Sequence, residues 1–570
     1  MTAPWWQAGV IYQIYPRSFQ DTDGDGIGDL KGIARRLDYL AGFGIDAIWL
    51  SPIYPSPMAD FGYDVADYCG VDPCFGTLAD FDDLLDQVHA RGLKLLLDFV
   101  PNHSSDRHTW FVESRASRLN PKRDWYLWRD PAPDGGPPNN WISDFGGSAW
   151  EWDEATGQYY YHAFLKQQPD LNWRNPAVRA AMHEVMRFWF DRGVDGLRID
   201  VLWHLIKAAD FPDNPPNPDY RPAMGEMHRV LQLYSADQPE IHAIAAEMRA
   251  IADGYGARGP DHVAFGRNRP NAKNVIDSWG LEHCSSEKPV PAFSRNALGE
   301  RLLIGEIYLP VSRLMDYYGG AQAGVQLPFN FQLIDAPWQA RALAALIANY
   351  EAALPPGGWP NWVLGNHDRS RIASKRGETQ ARIAAMLLLT LRGTPTLYYG
   401  DELGLSDVPI PPAQLRDPRE LREPGLGLGR DPVRTPMPWD AGAHAGFSTV
   451  SPWLPLNADW PIRNVAGMAD EPASILTLYR QLLALRRAYP ALAVGDFGLL
   501  DSEGDVLAYE RRYAAQRLIV ALNLGGSEQR LTLPPWASGH RLILSTRGEA
   551  PLVESHVLRL RADEGVILAT

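Results

Sequence analysis

Four short segments pair carboxylates with basic and amide groups: Asp98-Phe99-Val100-Pro101-Asn102-His103, Arg198-Ile199-Asp200, Gly305-Glu306-Ile307-Tyr308 and Gly365-Asn366-His367-Asp368. Cleaving a glycosidic bond with retention of configuration needs one carboxylate as nucleophile and one carboxylic acid to protonate the leaving oxygen. Asp200, Glu306 and Asp368 are the candidates for such work. Arg198 and Asp200 are two residues apart, so on a strand they point the same way. The guanidinium is then expected to keep Asp200 ionised and to hold it in place. Any one of these acids could instead cap a helix or pair with an arginine. The argument for chemistry rests on the whole set, each member of which ends an apolar run.

A second cluster suits a metal. In Asp21-Thr22-Asp23-Gly24-Asp25-Gly26-Ile27-Gly28-Asp29, carboxylates recur at every second position, with glycines that permit tight turning. Such spacing fits a hard, oxygen-seeking cation. It begins like an EF-hand but lacks the closing Glu, because the twelfth position is Gly32. A solvated acidic turn is the plainer alternative.

The elements that must position these groups follow from the pattern of apolar residues. Strands are expected at Ile11–Tyr15, Ala47–Ser51, Leu93–Val100, Gly196–Val201, Leu302–Tyr308, Val325–Phe329, Trp362–Gly365 and Thr396–Tyr399. Amphipathic helices lie between them, among them Leu30–Phe43, Leu78–Arg91, Ala177–Arg192 and Ile241–Tyr255. Alternation of this kind predicts an α/β fold, a parallel (β/α)8 barrel. An open doubly wound sheet would carry a phosphate loop after its first strand, and none is present. Barrel enzymes place their chemistry at the carboxyl ends of the strands, which is where the four clusters stand.

The barrel is assigned to residues 1–103 and 173–490. The stretch 104–172 is rich in Trp, Pro, Gly and Asp, exceeds ordinary loop length and reads as a small inserted domain. A second excess, Ala257–Gly299, reads as an irregular excursion on the face opposite the active site. Beyond the helix Ile475–Arg487, residues 491–570 alternate like strands and predict a β-sandwich, with a hairpin turn at Asn523-Leu524-Gly525-Gly526.

Composition excludes several classes of function. With 69 acidic and 54 basic residues the chain carries a formal charge of −15, which repels phosphate backbones and argues against nucleic acid. The longest aliphatic runs, Ala342–Ala348 and Ile383–Leu389, fall far short of the roughly twenty residues that span a membrane. Met1–Trp6 has no charged region followed by an apolar stretch, so a cytoplasmic location is expected, with Cys69, Cys74 and Cys284 as free thiols. A Cys69–Cys74 bridge is the alternative. No Cys-x-x-Cys, His-Glu-x-x-His or complete phosphate loop supports zinc or a nucleotide, and no organic cofactor is expected. The 20 Trp and 23 Tyr suit sugar faces as well as a packed core.

Taken together, the four clusters resemble the signature regions of the α-amylase family of glycoside hydrolases. Gly9-Val10-Ile11-Tyr12-Gln13-Ile14-Tyr15-Pro16, Gln168-Pro169-Asp170-Leu171-Asn172-Trp173 and Gly393-Thr394-Pro395 extend the match in the family's order. The Gln-Pro-Asp-Leu-Asn segment is similar to the α-glucosidase and oligo-1,6-glucosidase branch rather than to endo-amylases. The resemblance implies Asp200 as nucleophile, Glu306 as general acid/base and Asp368 as the carboxylate that orients the substrate. It implies Arg198, His103 and His367 as residues that grip the reacting sugar. Asp60 and Tyr63 would close the pocket around a terminal glucose, with Arg434 accompanying Asp60. Phe145 and Phe164 are candidates for the aromatic wall. It also implies structural calcium held by Asp21, Asp23, Asp25 and Asp29 with the carbonyl of Ile27.

The expected activity is exo-acting hydrolysis of terminal α-linked glucose from short oligosaccharides or disaccharides, by a monomer or small homo-oligomer. A glucosyl transferase or isomerase on the same scaffold is the alternative: a transglucosidase, trehalose synthase or sucrose isomerase. The chain has no Arg-Leu-Asp-Arg-Asp segment of the sucrose-isomerase kind. A non-catalytic relative resembling transporter heavy chains is disfavoured, since all three acids are present. Val201, next to the nucleophile, resembles relatives that favour α-1,6 bonds.

Overall fold

The computed structural model describes residues 3–256, 300–537, 539–548, 551–554 and 556–569. The 257–299 excursion lies outside the described residues. Eight parallel strands form one sheet: Ile11–Ile14, Ala47–Leu50, Lys94–Phe99, Gly196–Ile199, Leu302–Gly305, Leu327–Pro328, Asn361–Val363 and Thr394–Tyr398. Numbered along the chain, their order in the sheet is seven, eight, one, two, three, four, five, six. A parallel bridge between Asn330 and Trp362 joins the sixth to the seventh and closes the ring. The fold is the expected (β/α)8 barrel. The strands are buried on both faces, so they appear in sequence as near-continuous apolar runs.

The pleat sorts those runs into two cores. Ile11, Ala47, Trp49, Leu96, Leu302, Ile304 and Val363 fill the barrel interior. Their neighbours Tyr12, Ile48, Leu95, Leu97, Leu197, Ile199 and Leu303 face outward and pack with the helices. Successive side chains on a strand alternate faces. Gln13, Asp98, Arg198, Asp200 and Glu306 therefore fall on the interior side, at or just beyond the carboxyl ends of their strands.

The helices follow expectation at Leu78–Ala90, Pro176–Arg192 and Ile241–Gly256. Thr77 and Asp80 form a reciprocal capping box at the first, and Asn175 caps the second. The single helix expected over Leu30–Phe43 is instead two, Leu30–Arg35 and Leu37–Phe43, divided at Arg36. The guanidinium of Arg36 bonds Gln20 and lies 4.1 Å from the Trp439 ring centroid.

The 104–172 stretch holds the helix Thr109–Ala116 and a three-stranded antiparallel sheet of Trp128–Arg129, Trp150–Asp153 and Gln158–Tyr161. Trp141, Trp150 and Tyr161 form its apolar centre with Phe211. After the helix Ile475–Ala488, a five-stranded antiparallel sheet packs on a three-stranded one. Val506, Ile519, Leu531, Leu558 and Leu568 lie between them. The other face of the larger sheet, through Tyr509 and Val520, joins the core of the barrel and its helices.

Two expectations need correction. Asn523–Gly526 is not a hairpin turn: Gln516–Asn523 pairs with Val506–Tyr513 and Gly565–Ala569, while the next strand, Gln529–Thr532, belongs to the other sheet. A Gly-Gly turn reverses the chain equally well within a sheet or between two sheets. Cys69 is disulfide-bonded rather than free, whereas Cys74 is a free thiol, so the two do not bridge each other. Cys284 lies outside the described residues. Among the described residues, no helix is long and apolar enough to cross a membrane.

Candidate active site

The barrel mouth is organised around one guanidinium. Arg198 Nη1 donates to Asp98 Oδ1 and Asp200 Oδ1, each at 2.7 Å, and Nη2 lies 2.6 Å from Glu306 Oε2. The arginine is 1% exposed. Parallel pairing sets this geometry, because Asp98 registers with Arg198 and Arg198 with Ile304 across three adjacent strands. Immediately after Asp200, Val201 takes a left-handed conformation (φ 36°, ψ 48°). A β-branched residue is strained there, and such strain concentrates at functional sites. The turn aims the Val201 N–H at Glu306 Oε2, 3.0 Å away.

One positive charge cannot neutralise three carboxylates in a site closed to water. Burial pushes the Asp98 carboxyl up to about 7 and Asp200 well above the usual range; Arg198 opposes both shifts, and the other acids add to them. Arg198 holds Asp200 in place and lowers its pKa as expected, but burial and the neighbouring acids outweigh that, because the arginine is shared with Asp98 and Glu306.

Asp368 is different. Burial works against its charge, but the Arg434 and Arg430 guanidiniums outweigh that and hold the carboxyl far below the usual range. Arg434 Nη2 donates to its Oδ1 at 2.7 Å, and Arg430 Nη1 lies 3.5 Å away. The Asp368 side chain is 24% exposed and Asp200 8%, so both face the opening rather than the sealed interior. His367 is buried and held neutral, its pKa lowered to about 3, chiefly by burial. The Gln13 amide donates to its Nδ1 at 2.8 Å, its Nε2–H donates to the Tyr63 hydroxyl at 2.7 Å, and that hydroxyl donates to Asp98 Oδ2 at 3.0 Å. The chain of bonds fixes the imidazole, whose ring also stacks on Tyr63 and Tyr15.

Asp60 and Tyr63 are brought to the same mouth, with Asp60 3% exposed. Its partner is Arg430, at 2.6 Å, and not Arg434. Arg430 precedes the short helical turn Asp431–Val433 and also pairs with Asp417 at 2.7 Å. Arg434 follows that turn and points instead to Asp368 and the His367 carbonyl. The two arginines stand at opposite ends of one turn, four residues apart, so the sequence alone does not tell which reaches Asp60. His103, lowered to about 4 by burial, donates from Nε2 to the Tyr63 carbonyl at 3.1 Å. The Phe164 ring lies 5.1 Å from His103 and 6.0 Å from Phe145, and Phe145 lies 5.0 Å from the Arg430 guanidinium.

Sequence reasoning assigned no role to Asp98, Arg430, Asp417, Gln13 or Gln168. Asp98 and Gln13 carried a signal, since each sits on the interior side of its strand two residues beyond a barrel-filling residue, Leu96 or Ile11. Gln168 donates to Asp60 at 3.3 Å. Arg430 and Asp417 lie so far along the chain from Asp60 that only the fold reveals the pairing.

Away from the mouth, one oxygen from each of Asp21, Asp23 and Asp29 falls within a common 4.8 Å span. Asp25 is not in that group, and its carboxylate accepts the Ile27 N–H at 2.7 Å. Asp29 also caps the helix that follows, through Gly32 N at 2.7 Å.

The arrangement has counterparts. The alpha amylase catalytic domain model matches residues 13–495. The chain is 40% identical over 543 residues to a probable alpha-glucosidase of Rhizobium meliloti (strain 1021), covering 93% of this chain and 91% of that one. It is 39% identical to an oligo-1,6-glucosidase of Heyndrickxia coagulans, covering 91% and 92%. Among solved structures, the alpha-glucosyl transfer enzyme XgtA superposes with a TM-score of 0.86 at 37% identity, and the trehalulose synthase MutB from Pseudomonas mesoacidophila MX-45 with 0.84 at 35%; each match covers 100% of both chains. A buried carboxylate cluster at the mouth of a (β/α)8 barrel and relatives that match along nearly the whole chain agree on one conclusion: the protein belongs to the alpha-amylase family and is a glycoside hydrolase.

Proposed function

We propose that the protein is a retaining, exo-acting α-glucosidase that removes terminal α-linked glucose from disaccharides and short oligosaccharides. The observation that carries the proposal is the sharing of one buried guanidinium by Asp98, Asp200 and Glu306. In this scheme Asp200 attacks the anomeric carbon while Glu306 protonates the leaving oxygen. Glu306 then takes a proton from the water that releases glucose from the covalent intermediate. The ionised Asp368, braced by Arg434, binds sugar hydroxyls and stabilises the positive charge that develops on the ring. His103 and His367, both neutral, orient the same sugar.

The Asp60–Arg430–Asp417 ion-pair chain supports the exo-acting reading, because it would wall the pocket behind a terminal glucose. Tyr63, Phe145 and Phe164 supply aromatic surface to that wall. A glucosyl transferase or isomerase is the second reading, favoured by the likeness to the glucosyl transfer enzyme and the trehalulose synthase. Both readings use the same nucleophile and acid and differ in whether water or a sugar accepts the glucosyl group. Incubation with maltose, isomaltose, sucrose and trehalose, resolving free glucose from transfer products, separates them. Predominant glucose supports the hydrolase, and predominant new glucosides support the transferase.

We further propose that Asp21, Asp23 and Asp29 hold a structural calcium ion, with Asp25 and the Ile27 carbonyl completing the loop. The all-oxygen donor set within one short span fits a hard cation. Calcium there would supply charge neutralisation and a rigid loop, with no part in bond cleavage.

A further inference from the structure

Four residues after the proposed nucleophile stands a buried imidazole that the mechanism above does not use. His204 ends the short turn Leu202–His204, which is tied to the proposed acid by the bond from Leu202 N to Glu306 O at 3.1 Å. The ring is 1% exposed, and neither nitrogen has a hydrogen-bond partner among the described residues. Leaving a buried polar group unpaired is unfavourable. Facing it is Asp144, whose Oδ2 lies 4.0 Å from His204 Nε2, just beyond bonding range. The other oxygen, Oδ1, accepts from Gln232 at 2.8 Å. The Asp144 side chain is 15% exposed, so it can be reached from solvent while His204 stands behind it.

Ring contacts connect this pair to the barrel mouth. Phe164 bridges the two regions, 5.1 Å from His103 and 5.6 Å from His204. Trp203, next to His204, packs 5.5 Å from Tyr308, and Arg369 lies over the Tyr308 ring at 4.9 Å. Tyr308 is two residues past Glu306, the proposed acid. A carboxylate at that place suits a hydroxyl donor, and a neutral imidazole suits the carboxylate.

We infer that Asp144 binds a hydroxyl of the leaving or accepting sugar, and that His204 is the positioning residue that aims it. The inference rests on the α-glucosidase reading. A small closure of the 4.0 Å gap lets His204 Nε2–H bond Oδ2 and satisfies a ring nitrogen that is otherwise unpaired. Burial holds the imidazole neutral and pushes the Asp144 carboxyl up to about 6.

The test compares a disaccharide that the wild type hydrolyses with p-nitrophenyl α-glucoside, which shares the glucosyl half but leaves as a phenol. Asp144→Asn and His204→Leu should lower kcat/KM on the disaccharide by about 10- to 100-fold and leave the aryl glucoside within about threefold. His204→Gln, which keeps a donor, should recover part of the loss. Equal losses on both substrates, or no loss on either, would overturn the inference. Should His204→Leu fail to fold, Asp144→Asn decides alone, because its partly exposed side chain tolerates the change. A wild type that cleaves neither substrate would instead remove the α-glucosidase reading.

Discussion

At residue scale, charge is placed by sharing. Asp200, Glu306 and Asp98 divide one guanidinium, whereas Asp368 has Arg434 and Arg430 beside it. Retaining hydrolysis needs a nucleophile and an acid side by side, roles the proposed scheme gives to Asp200 and Glu306, while the two arginines hold the Asp368 carboxyl far below the usual range. Replacing Asp200 by Asn removes the only nucleophile in the scheme. Turnover of a disaccharide should fall by several orders of magnitude with little change in melting temperature; activity within about tenfold of the parent would refute the role. Arg430→Met leaves Asp60 and Asp417 buried without their cation. Breaking a buried pair in this way costs about 3–5 kcal/mol. Urea unfolding should show a loss of that order, well above what an exposed arginine gives.

Elements add what single residues do not show. The seam between the eighth and first strands is braced by Glu402, from the turn Asp401–Leu403. It accepts from the hydroxyls of Tyr12, on the first strand, and Tyr39, on the helix beyond, at 2.6 and 2.9 Å. Burial raises its pKa to about 7, with the tyrosine bonds opposing. A raised carboxyl stabilises the fold fully below its unfolded value near 4.5, and that contribution is lost as pH rises through about 7. The isosteric Glu402→Gln should therefore gain on the wild type by about 1.4 kcal/mol per pH unit across that window. Denaturant titrations between pH 5 and 7 measure the difference, and a constant offset would contradict it. The acidic loop is a second element-scale case. Calcium at 100 times its Kd adds about 2.7 kcal/mol to the folded state. Chelation should lower the melting temperature and leave the initial rate at room temperature intact; no effect on either would make the loop a solvated turn.

For the molecule as a whole, the barrel was legible because buried parallel strands leave long apolar runs, and its four catalytic clusters each end one of them. Strand ends shifted by a few residues, as at Leu302–Gly305 against the expected Leu302–Tyr308, because the mouth residues leave the ladder to build the site. Less legible were features made by the meeting of distant segments. Nothing near Arg430 indicates that its partner is Asp60, and nothing near Asn523 indicates that the chain is about to change sheets. Those contacts come from the closure of the barrel and the packing of the C-terminal strands on it. The most direct test of the account is the configuration of the product. Proton NMR of the first glucose released, taken before mutarotation, should show the α-anomer, because inversion at Asp200 followed by inversion with water restores the starting configuration. Initial release of the β-anomer would contradict the account.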